Sequence, residues 1–161
     1  MRSHPAPELL HLLDAEGLQA LRSAWAWRLG EAWQPLMASV IGDVFVLTPA
    51  GSVWWLSTAS GDLEQVADSP AAFRARLSDP EAQDEWFLPG LVYALREHGK
   101  ELLPGQLYGY SVLPVFEGGS FSVENMLPVD AAAHYTLSGE LLRAAARRRP
   151  GEALGAVSLG D

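Results

Sequence analysis

The sequence predicts an α+β fold in a single domain, an antiparallel-dominated sheet with helices packed on it. Three observations carry this. Apolar residues near the N-terminus recur at helical spacing. From about Leu36 they change to short unbroken runs rich in β-branched and aromatic residues. From Ser69 the helical period returns. With 161 residues, 48% of them hydrophobic, the chain can enclose one sizeable core and is too short to need two.

Leu9, Leu10, Leu12 and Leu13 suggest a short first helix. Leu18, Leu21, Trp25 and Leu29 share one face of a second, over residues 16–29, with Asp14 placed to cap it and Gly30 to stop it. A strand over residues 36–40 follows. Val44-Phe45-Val46-Leu47 and Val53-Trp54-Trp55-Leu56 are then two strands joined by a turn at Pro49-Ala50-Gly51-Ser52, with the next turn at Ser60-Gly61-Asp62. Such a meander, apolar without alternation, implies strands covered on both faces, at least in part.

Ser69-Pro70 and Asp79-Pro80 each read as an N-cap followed by proline at the first helical position. Phe73 and Leu77 mark one helix, and Phe87, Leu88, Leu91, Val92 and Leu95 mark another stripe ending at Gly99. Pro89 inside that stripe predicts a kink or a restart. Strand character returns over residues 107–115, with Pro114 at an edge or strand end. Leu137, Leu141 and Leu142 predict a last helix, closed by Pro150. The expected organisation is a helical lead over residues 1–32, an α+β domain over 33–149, and a Gly-rich, aperiodic and mobile tail over 150–161.

Net charge is −9, and its distribution is uneven. Between Leu29 and Leu142 there are 15 acidic residues against four basic ones, Arg74, Arg76, Arg96 and Lys100. An acidic body repels phosphate backbones and attracts a basic partner, which argues against nucleic-acid binding; the plainer alternative is that the acidity only maintains solubility. The absence of cysteine excludes disulfides, thiolate catalysis and cysteine-ligated metals. No apolar run approaches the roughly 20 residues that cross a bilayer, and the N-terminus lacks the apolar core of a signal peptide. No membrane association and a cytoplasmic location are therefore expected.

Chemistry-bearing motifs are sparse. His4, His11, His98 and His134 show no metal-ligand spacing, and His98 is placed to decorate a helix C-terminus. Gly105-Gln106-Leu107-Tyr108-Gly109 lacks the lysine and the following helix of a phosphate loop. Asp79, Glu81, Asp84 and Glu85 lack calcium-loop spacing. The least implausible hydrolytic set is His134, Asp130 and Ser122, without a nucleophile elbow. No cofactor, no metal and no enzymatic activity are expected. Six tryptophans are many for this length. The neighbours Trp54 and Trp55 point to opposite sheet faces, so one of them can be exposed, although helices covering both is the blander reading. An exposed tryptophan beside carboxylates suits a protein-binding surface. The candidate contacts are Glu81, Asp84 and Glu85 with whichever of Trp54 and Trp55 is exposed, joined by Glu117.

An ordered series of short motifs spans residues 33–142. It runs through Gly42-Asp43-Val44-Phe45, Gly51-Ser52-Val53-Trp54-Trp55-Leu56, Gly61-Asp62-Leu63 and Asp84-Glu85-Trp86-Phe87. Gly105-Gln106-Leu107-Tyr108-Gly109-Tyr110, Pro114, Gly118-Gly119 and Glu124-Asn125 complete it. In order and spacing this series resembles the C-terminal domain of the type VI secretion DNase-immunity proteins. Glu117 departs from the pattern, standing where an apolar residue is expected. In place of the upstream domain of some members, only the short helical lead to Leu29 is expected. The resemblance implies a non-enzymatic protein that neutralises a toxin by binding it, with a basic DNase-type toxin as partner. The competing readings are a hydrolase with dispersed catalytic residues and a housekeeping or structural interaction protein of the same fold.

Overall fold

The computed structural model describes residues 4–148; the tail over 150–161 lies outside the described residues. A 3-10 turn at Pro7–Leu9 leads into β1 (Leu10–His11), α1 (Ala15–Ala24) and α2 (Ala26–Leu29). The meander follows as β2 (Gln34–Ser39), β3 (Val44–Leu47), β4 (Val53–Leu56) and β5 (Leu63–Ala67). Three short helices come next, α3 (Pro70–Leu77), α4 (Pro80–Phe87) and α5 (Pro89–Glu97). Strands β6 (Gln106–Tyr110) and β7 (Met126–Asp130) and the long helix α6 (Ala131–Arg148) complete the α+β fold.

Strands β1 to β5 form an antiparallel sheet in chain order, and β6 pairs with β7 in a second, two-stranded sheet. The two are joined where the Tyr108 N–H donates to the Val40 carbonyl at 2.7 Å. Strand β3 shows why the apolar runs do not alternate. Val44 and Val46 enter a core with Leu21, Trp25, Leu56, Leu107 and Tyr135, beneath α1, α2 and α6. Phe45, pointing the other way, enters a core with Phe73, Trp86, Phe87 and Val92, beneath α3 to α5. With helices on both faces, Val44, Phe45 and Val46 are fully desolvated and Leu47 in part, and the burial of each fully desolvated side chain contributes about 1.5–3 kcal/mol.

The capping residues behave as their chemistry dictates. Asp14 Oδ1 accepts from the Gly17 N–H at 2.8 Å, Ser69 Oγ from Ala72 at 3.1 Å, and Asp79 Oδ1 from Glu81 at 3.2 Å. Each satisfies a donor that the first helical turn cannot, a contribution of about 1 kcal/mol. His98 Nδ1 lies 2.8 Å from the Ala94 carbonyl at the end of α5.

Four elements differ from the sequence expectation. The leucines at 9–13 form no α-helix: Leu9 ends the 3-10 turn, and Leu10 and His11 pair with Ser39 and Ala38 as an edge strand. The helix expected over 16–29 breaks at Trp25, whose buried indole N–H donates to the Tyr135 carbonyl of α6 at 3.0 Å. The strand expected over 107–115 ends at Tyr110, and residues 111–125 form a loop pinned by Asn125. Its side chain accepts from the Val112 N–H at 3.0 Å and donates to the carbonyls of Val112 and Ser120 at 2.7 and 2.8 Å. Strand β7 carries Pro128 and shows little β-propensity, yet it pairs along its length with β6, as proline permits on an edge.

Candidate partner-binding cleft

The turn between β2 and β3 places Gly42 and Asp43 at the centre of a buried polar cluster. Gly42 has φ +96°, and a Cβ there would stand 2.7 Å from Thr58 Oγ1 and 2.8 Å from His134 Nε2. Only glycine meets both conditions. The Thr58 hydroxyl donates to the Gly42 carbonyl at 2.8 Å and lies 2.8 Å from His134 Nε2. A hydroxyl has one proton, so the imidazole supplies the other, and His134 is the neutral Nε2–H tautomer. Burial pushes its pKa down to about 4, which keeps the ring neutral through the physiological range.

Asp43 is 5% exposed. Its carboxylate accepts from the Trp55 indole N–H at 3.0 Å and from the backbone of Thr58. Desolvation outweighs both bonds and pushes its pKa up to about 7. Above this group opens a cleft of about 500 Å³, lined by Ile41, Asp43 and Trp55, by Ser57, Ser60, Asp62 and Glu64 on the sheet side, and by Glu85, Leu88 and Phe121 opposite. Four of these residues are carboxylates, and no lysine, arginine or histidine lines the cleft among the described residues. An adjoining groove is lined by Asp84, Leu88, Pro89, Gly90, Leu91 and again Phe121. Phe121 is 48% exposed and stands edge-on to Tyr110, ring centroids 5.6 Å apart. A further cleft, between β1 and α5, has Arg96 among its carboxylates Glu8 and Glu101 and so lacks a single sign of charge.

Leu88, shared by the cleft and the groove, has φ 47° and ψ 56°. It is the one non-glycine residue with positive φ among the described residues. The following Pro89 disfavours right-handed helical geometry at Leu88; α4 ends there and α5 restarts at the proline. A left-handed leucine is strained by about 1–2 kcal/mol, and such strain concentrates at functional surfaces.

The six sequence-proposed contacts separate into groups. Trp55 and Glu85 share the cleft, and Asp84 lines the groove beside it. Glu81 is exposed on α4, one helical turn before Glu85 and on the same face. Trp54 packs on the opposite side of the sheet, its indole N–H donating to Ser52 Oγ at 3.0 Å. Both tryptophans are half-buried. Glu117 is exposed in the 111–125 loop and lines neither depression. Asp43, Asp62, Glu64, Leu88 and Phe121 escaped the site reading. A glycine followed by a lone aspartate was the available signal for Asp43, and none marked Phe121.

His134, Asp130 and Ser122 are each engaged elsewhere. His134 meets Thr58, Asp130 Oδ2 accepts from the Ala133 N–H at 3.0 Å as a cap for α6, and Ser122 Oγ lies 2.8 Å from Ser120 Oγ. Among the described residues no group of three His, Asp or Glu is arranged to hold a metal ion, and no helix is long and apolar enough to cross a membrane.

No curated protein matches the chain. Residues 67–142, from the end of β5 into α6, contribute Asp84, Glu85, Leu88 and Phe121 to the cleft and groove, while the sheet-side wall comes from the preceding meander. Over those same residues, just under half of the chain, the sequence matches the family model described as T6SS immunity protein Tdi1, C-terminal, and so is similar to the type VI secretion immunity family that its motifs resemble.

Proposed function

We propose that this protein is an immunity protein that binds a basic, DNase-type effector in the cytoplasm and neutralises it by occupancy, catalysing no reaction itself. The observation that carries the reading is the cleft of one charge sign, set beside the acidic face of α4, in a chain whose later half is similar to an immunity family. A nuclease must be basic where it grips phosphate, so an acidic, partly aromatic surface complements it and repels nucleic acid. Trp55, Asp84 and Glu85 form the core of the contact face, with Glu81 extending it along α4. Carboxylates at the rim accelerate association, and the aromatic centre slows dissociation.

The test pairs this chain with a DNase-type effector sought in its gene neighbourhood. Cells producing the effector are expected to survive only when the chain is co-produced, and the two to co-purify as a stoichiometric complex. Association should slow as salt rises and with Glu81, Asp84 and Glu85 all changed to Lys. Killing that continues despite abundant chain, with no complex recovered at low salt, overturns the immunity reading. Capture that is indifferent to the triple reversal removes α4 from the interface.

A further inference from the structure

We propose that the cleft above Asp43 is a receptor for one arginine side chain of the effector, which lies against the half-exposed Trp55 and the exposed Phe121, with Asp43 at the base and Glu64 and Glu85 at the mouth. The inference rests on the immunity reading for the identity of the partner and adds the chemistry of the contact.

Three features converge on a planar cation. The first is charge: Asp43, Asp62, Glu64 and Glu85 line one concavity that holds no basic side chain among the described residues. Carboxylates in a walled depression focus their field on whatever enters. The second is the carboxylate at the base. A buried carboxylate ordinarily has a cationic partner, whereas among the described residues Asp43 meets the N–H groups of Trp55 and Thr58 and no basic side chain lining its cleft. The third is aromatic surface. Trp55 and Phe121 both line the opening, and a guanidinium stacks on such rings while its fork of N–H donors reaches carboxylates. Lysine, a compact and strongly hydrated point charge, uses the rings less well. The volume of about 500 Å³ admits one long side chain and leaves the rest of the partner outside.

The Phe121 wall is held in place. Asn125 ties Ser120 and Val112 together, and Tyr110 backs the Phe121 ring. The Trp55 indole N–H, bonded to Asp43, provides a reporter at the base of the cleft, assignable in a ¹H–¹⁵N spectrum by its loss in Trp55→Phe.

The experiment titrates the full chain with acetyl-Gly-Arg-Gly-amide and with the same peptide carrying citrulline, the neutral isostere of arginine. The arginine peptide is expected to move the Trp55 indole resonance with a Kd on the order of 1 mM, and the citrulline peptide to leave it in place. Changing the exposed Glu64 and Glu85 to Gln should weaken the arginine peptide by about threefold to tenfold, and Phe121→Ala should weaken it further. No movement at about 50 mM peptide, well above that Kd, an equal response to citrulline, or unchanged affinity in the Gln variant overturns the proposal. Effector capture separates the two readings. Effector bound normally by the Glu64→Gln, Glu85→Gln, Phe121→Ala chain keeps immunity and discards the arginine site. Arginine peptide bound in the absence of any captured effector does the reverse.

Discussion

The Trp55 indole N–H donates to the Asp43 carboxylate at 3.0 Å, across the β3–β4 hairpin and at the base of the acidic cleft. This bond orients the tryptophan whose ring lines the cleft and satisfies part of a carboxylate that, among the described residues, has no cation lining its cleft. Removing the donor leaves a buried charge short of one hydrogen bond. At pH 8, where Asp43 is mostly ionised given its pKa of about 7, Trp55→Phe is expected to destabilise the fold by about 1–3 kcal/mol. Urea unfolding should show this as a lower midpoint with an unchanged slope. In an Asp43→Asn background, where the acceptor is neutral, the loss should be smaller by about 1 kcal/mol. Equal losses in the two backgrounds would mean that the bond carries no charge-assisted stabilisation.

Asp43 and His134 contribute opposite pH dependences to stability. The carboxyl is pushed up to about 7 in the fold, so between about pH 4 and 7 the native state holds a proton that the unfolded chain has released. Stability from this group falls as pH rises through that window. His134 is pushed down to about 4, so between about pH 4 and 6.5 the unfolded chain holds a proton that the native state lacks. Stability from this group rises with pH there. The two slopes oppose each other in the wild type. Relative to wild type, His134→Gln should lose stability from pH 4.5 to 6.5, and Asp43→Asn should gain it. Each departure approaches about 1.4 kcal/mol per pH unit at its steepest. Urea midpoints at pH 4.5, 5.5 and 6.5 check this, and parallel curves for the three proteins would contradict it.

Leu88 reverses a familiar order of substitutions. Ala is ordinarily more stable than Gly inside a helix, by about 1 kcal/mol, but a left-handed residue at a helix end favours glycine. With φ at 47°, Leu88→Ala keeps the left-handed strain and loses the packing, whereas Leu88→Gly loses only the packing. The Gly variant should therefore be the more stable by about 1 kcal/mol, read as the higher Tm. An Ala variant as stable as the Gly variant would show that Leu88 does not hold this conformation in solution.

Gly42 and Gly51 form a matched pair, since both have φ +96° but only Gly42 is enclosed. Gly51→Ala meets open space and incurs backbone strain alone, about 1 kcal/mol. Gly42→Ala adds a clash with Thr58 Oγ1 and His134 Nε2, and should destabilise by about 2–4 kcal/mol. It should also alter the His134 ring resonances, which Gly51→Ala leaves unchanged. Equal destabilisation by the two would mean that the cluster yields at no cost.

Where interactions are local, the sequence by itself determined the structure. Ser69-Pro70 and Asp79-Pro80 became capped helix starts because an N-cap bonds within three residues. The unbroken Val44-Phe45-Val46-Leu47 run became a strand covered on both faces because period-two geometry sends successive side chains to opposite sides. Pro89 made α5 restart for the same local reason. Tertiary structure decided the rest. Trp25 sits at good helical spacing, yet the helix breaks there because its indole reaches Tyr135, 110 residues away. Strand β7 has a poor strand sequence and exists because β6 supplies its hydrogen bonds. The cleft gathers Asp43, Trp55, Glu85 and Phe121 from a turn, a strand, a helix and a loop. Trp55 and Glu85 could be suspected separately, as an aromatic and a carboxylate. That they share one cleft, with a buried aspartate between Trp55 and solvent-facing acids, depends on contacts whose sequence separation no local pattern encodes.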